Sequence, residues 1–69
     1  MPKFQIINLK TGEDYGVFEG ADGAEAVAAM HVDDGHDVQA SGGKLVFPDT
    51  ETARLCGQMG EVWEAKPVD

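Results

Sequence analysis

A-D-G-A-E-A-V-A-A-M-H-V-D-D-G-H, residues 21–36, is the stretch on which the fold turns. Asp22 carries a short carboxylate that can accept from the free N–H groups of a first helical turn. Glu25 follows three residues later, so D-x-x-E has the form of a capping box with Asp in the Ser/Thr place. Both charges are negative and suit the positive end of the helix dipole. The interior is mostly alanine, which loses least on entering a helix. Gly35 suits the left-handed turn that ends one. The stretch therefore predicts a helix over Asp22–Asp34. The apolar Val27 and Met30 lie three apart, with Ala26 and His31 beside them on the same side.

Outward from this helix the chain reads as short strands. Lys3–Leu9 is rich in Phe and Ile, with Phe4/Ile6 on one face and Ile7/Leu9 on the other. Two apolar faces predict a central strand with some cover on each side. Lys10-Thr11-Gly12-Glu13 is a turn, and Asp14–Gly20 the returning strand. Gly16 inside that strand signals a bulge or a close contact. Strict alternation would put Tyr15 and Val17 on one face and Phe18 on the other.

After the helix, Asp37–Ala40 and Lys44–Phe47 read as two short strands joined through Ser41-Gly42-Gly43 and ended by Pro48. Asp49 or Thr50 can cap a short helix reaching Cys56 or Met59, with Thr52, Leu55 and Met59 on one side. Glu61–Lys66 reads as the last strand, with Val62 and Trp63 on opposite faces, stopped by Pro67 ahead of a fraying Val68-Asp69. The order β-β-α-β-β-(short α)-β predicts an α+β two-layer sandwich: a single antiparallel sheet with the main helix on one face. Phe4, Ile6, Phe18, Val27, Met30 and Trp63 are its expected core.

Composition bounds the function. The 69 residues make one domain, with hydrophobic residues at 42%. A core this small supplies only about 3–5 kcal/mol, so either a monomer or a homodimer that adds buried surface fits. Thirteen acidic residues against five basic ones give a net charge of −8. That argues against nucleic acid, whose phosphates need Lys or Arg, and against an anionic membrane. A basic protein surface is the partner the charge allows. Cys56 is the one cysteine. It has no disulfide partner in the chain, so this is not a stapled secreted domain. With neither a signal peptide nor an apolar run of about 18 residues, the cytoplasm is the expected location.

The residues Thr11-Gly12, Val17-Phe18-Glu19, Ala21, Glu25-Ala26-Val27-Ala28-Ala29-Met30 and Asp33-Asp34-Gly35-His36 carry a resemblance. The pattern of T-G turn, aromatic-x-Ala strand end, E-A-V-x-A-M helix and D-x-G helix end resembles small uncharacterised bacterial and phage-borne proteins. Asp34 stands where that pattern has Ala, and His36 where it has Tyr. The resemblance covers about a third of the chain, residues 11–36. It implies a ββα opening in a small, phage- or mobile-element-derived accessory protein, and no biochemical activity.

Chemistry concentrates at the helix end. Asp33 and Asp34 occupy the negative pole of the dipole, where a cation is the favoured residue. As a plain solvated terminus this costs a few tenths of a kcal/mol. As a site, Asp33, Asp34 and Asp37 form an acidic cluster awaiting a basic partner. The alternative is a metal or ligand site on His31, Asp34 and His36, since His31 and Asp34 share a helical face and His36 can fold back over the last turn. None of the common metal spacings is present, and no cofactor is implied. The structural reading makes His36 an aromatic-like plug and His31 a half-exposed helix residue. Carboxylates nearby would raise both imidazole pKa values. Cys56 would need a histidine to act as a nucleophile; its ordinary role is a small buried hydrophobe. Glu61/Glu64 and Gly42-Gly43-Lys44 lack the frame of an acid–base pair or a phosphate loop. The chain is therefore not expected to be an enzyme.

Overall fold

The structure is a computed structural model that describes residues 2–68. Its elements run β1 (Lys3–Asn8), β2 (Asp14–Glu19), α1 (Gly23–Asp33), β3 (Gln39–Ser41), β4 (Lys44–Val46), α2 (Thr50–Cys56) and β5 (Trp63–Val68). The predicted order and the α+β class are both present. The single sheet is not. β2, β1 and β5 form a three-stranded antiparallel sheet with β1 in the centre, and β3–β4 stand apart as a two-stranded ribbon. The two three-residue strands pair with each other and pack on α1 instead of on an edge of the sheet.

α1 is the hub. It packs against all three strands of the sheet and against both strands of the ribbon. Its buried residues are Ala24, Ala26, Val27, Ala28, Met30 and His31. The alanines present almost no side-chain bulk, so the helix axis comes close to the sheet. Opposite it lies Ile6, fully buried between Gly16 on β2 and Ala65 on β5. Those small neighbours leave room above Ile6 for helix side chains. Trp63, Val38 and Leu45 complete the buried core, with Phe4 and Phe18 partly buried at its edge. Cover exists on this face only. The outer face carries Gln5, Ile7 and Val17, and Val17 is 53% exposed.

The helix ends explain why it starts and stops there. The Asp22 carboxylate accepts from the Glu25 N–H at 2.9 Å, and Glu25 reaches back to accept from the Ala21 N–H at 3.0 Å. At the other end the His36 N–H donates to the His31 carbonyl and the Gly35 N–H to the Val32 carbonyl, a Schellman pair. Gly35 sits at φ 90°, where a β-carbon is unfavourable.

Two local expectations need correcting, the facing of Tyr15 and Val17 and the end of β5 at Pro67, while the bulge and the buried Cys56 are as expected. The bulge at Gly16 is present: Ile6 pairs with Gly16 but Ile7 with Asp14, leaving Tyr15 as the extra residue. That inserted residue breaks the alternation, so Tyr15 turns to the core side with Phe18 while Val17 faces out. On α2, Leu55 is 73% exposed and Cys56 is the buried residue, because the helix meets the core only at its last turn. Pro67 does not end β5 but pairs with Phe4. β5 is an edge strand, where a missing N–H leaves no ladder partner wanting. Asp69, expected to fray, lies outside the described residues.

The ribbon is tied back by a side chain. Gln58 donates to the Leu45 carbonyl at 2.7 Å and accepts from the Leu45 N–H at 3.0 Å. Its amide thus stands in for a third strand beside β4. Among the described residues, no helix is long and apolar enough to cross a membrane.

Candidate functional site

The acidic end of α1 is assembled by its own cap. Asp33 is the last helical residue, Asp34 the C-cap, and Gly35 turns the chain so that Asp37 follows within a few residues. All three carboxylates are exposed. Among the described residues, the carboxylates that accept hydrogen bonds lie elsewhere, at caps and turns: Asp14, Asp22, Glu25 and Asp49. Backbone N–H groups hold Asp14 and Asp49 below the usual carboxylate range, from Gly16 and Thr52 respectively.

The two histidines meet for the same reason. In a Schellman motif the second residue past the cap packs against the residue in the last turn whose carbonyl it bonds. Those positions are His36 and His31, and their rings lie edge to face with centroids 6.5 Å apart. His36 is exposed. His31 contradicts its reading: it is 3% exposed rather than half exposed. Its Nε2 is buried with no hydrogen-bond partner. Trp63 packs against it edge to face, with centroids 5.0 Å apart. The expected rise in its pKa is also overturned. Burial disfavours the imidazolium most, His36 adds repulsion, and Asp34 opposes both only in part, so the pKa falls below 6.5.

Beside this corner is a cavity of about 150 Å³. α1 lines it with Met30, His31 and Asp34, and His36 follows just past the cap. Tyr15 and Trp63 enter from the sheet, their rings edge to face with centroids 5.2 Å apart. Leu55 and Cys56 enter from α2. The Trp63 indole N–H donates to the Cys56 carbonyl at 2.7 Å, which fixes the indole against α2. Cys56 is buried, and burial pushes its thiol pKa up, which disfavours the thiolate. Among the described residues, no three His, Cys, Asp or Glu side chains converge as a metal-holding group. The metal reading of His31, Asp34 and His36 therefore finds no preformed set of ligands. A second cavity, about 350 Å³ beside Gly43, Lys44 and Glu61, borders Gln58, whose amide is already spent on Leu45.

Sequence reading located the acidic end and the histidines but missed Tyr15, Trp63 and Leu55 as neighbours of that corner. Gly16 was the available signal for Tyr15, since a bulge re-aims a side chain. No known protein family, curated protein or solved structure matches the chain.

Proposed function

We propose that this chain is a small acidic protein-interaction module that docks on a basic protein surface through the C-terminal end of α1. The observation that carries this reading is the exposed trio Asp33, Asp34 and Asp37, standing at the negative pole of the helix dipole in a chain of net charge −8. Three like charges and a dipole end repel one another. A cationic partner removes that repulsion and releases the small ions gathered there. The docking is electrostatic in origin, so it is fast and weakens with salt.

The test uses a basic peptide bearing several Lys and Arg residues, titrated against the whole chain at low and at near-physiological ionic strength. The reading predicts binding that weakens as salt rises, and that drops in the triple variant Asp33→Asn, Asp34→Asn, Asp37→Asn. If the peptide fails to bind at low ionic strength, the reading is wrong.

A further inference from the structure

The cavity next to the acidic trio has the chemistry of a receptor for one side chain. We propose that it seats the guanidinium of an arginine presented by the basic partner. This rests on the docking reading above and names what the partner inserts. Asp34 is the carboxylate that lines the cavity, and neither Lys nor Arg lines it. A cation entering there meets the Asp34 carboxylate and neither Lys nor Arg; of the two histidines at the wall, His31 is buried, which disfavours its charged form.

Two further features select the cation. Tyr15, half-buried at the wall of the cavity, offers aromatic surface on which a planar, weakly hydrated guanidinium stacks better than an ammonium, with the buried Trp63 behind it. His31 Nε2 is a buried nitrogen without a partner, on a ring that borders the cavity. In the neutral ring with its proton on Nδ1, Nε2 is an acceptor. A guanidinium fork has donors for both Asp34 and His31, whereas an ammonium is a point charge that leaves one of them poorly served. Leu55, 73% exposed, gives the apolar stem of the arginine a surface to lie on.

The probes are the tripeptide acetyl-Gly-Arg-Gly-amide and its citrulline and lysine counterparts, titrated into the whole chain and followed by NMR. Trp63 is the one tryptophan, so its indole signal is unambiguous. The arginine peptide is expected to shift the Trp63 indole and His31 ring signals. Citrulline, which keeps the shape and loses the charge, should bind at least about tenfold more weakly, and lysine several-fold more weakly. Asp34→Asn and Leu55→Ala alter exposed residues and should leave the fold intact, yet each should weaken the arginine peptide. If citrulline binds as well as arginine, or if Trp63 and His31 stay still while Asp33 and Asp37 respond, the arginine seat is wrong and the docking reading stands. If neither this probe nor the longer basic peptide binds, both fall.

Discussion

His31 is where burial and charge compete, and burial wins. In the unfolded chain its imidazole takes up a proton near 6.5; in the folded chain it does so at lower pH. Between those two values the unfolded state holds more protons. Stability is therefore fully present above 6.5 and declines as pH falls toward the folded value. The urea midpoint should drop as pH is lowered through this window, and His31→Phe, which keeps an aromatic ring against Trp63, should flatten that part of the profile. A midpoint that rises below pH 6.5 would contradict the assignment. The sequence showed His31 beside three carboxylates but hid its depth. Position 31 falls on the inward face with Val27, and only the packing of Trp63 over it seals the ring.

At the level of elements, the local signals in the sequence were strongest where a single residue type solves a backbone problem. Asp22, Glu25 and Gly35 marked the ends of α1 to within a residue, and Gly16 marked the bulge. Faces were harder to read than ends. Tyr15 and Pro67 were misplaced because each depends on a partner far along the chain: the bulge against β1 and the edge position of β5. Gly35→Ala puts a β-carbon at φ 90°. It should lower stability by about 1 kcal/mol by strain at the cap, measured as a lower urea midpoint with the unfolding slope unchanged. Because Gly35 also turns the chain that brings His36 over His31, the same variant should perturb both imidazole signals. Val27 is fully buried against the sheet. Val27→Ala should cost about 1–3 kcal/mol through the lost methyls and the cavity left behind, enough to unfold a measurable fraction of so small a domain. An unchanged midpoint would mean that α1 does not rest on this face.

Across the whole molecule, the α+β class and the element order were legible because hydrophobic period and turn residues set them. The split into a sheet and a ribbon was not, since nothing in Gln39–Ser41 or Lys44–Val46 announces that they pair only with each other and that a glutamine side chain flanks β4. The candidate site followed the same division. Its acidic half is close in sequence, whereas its aromatic half joins residue 15 on β2 to residue 63 on β5. Excess negative charge is spread over the surface, so the decisive question is whether location matters beyond net charge. The most direct measurement compares two triple variants of equal charge against the same basic peptide. One is Asp33→Asn, Asp34→Asn, Asp37→Asn at the end of α1; the other is Glu13→Gln, Glu19→Gln, Glu64→Gln, at exposed positions on and beside the sheet. Isothermal titration at low ionic strength should show the first losing about tenfold or more in affinity, given roughly half a kcal/mol for each charge at the site, and the second losing far less. Equal losses in the two variants would contradict a docking site at the end of α1.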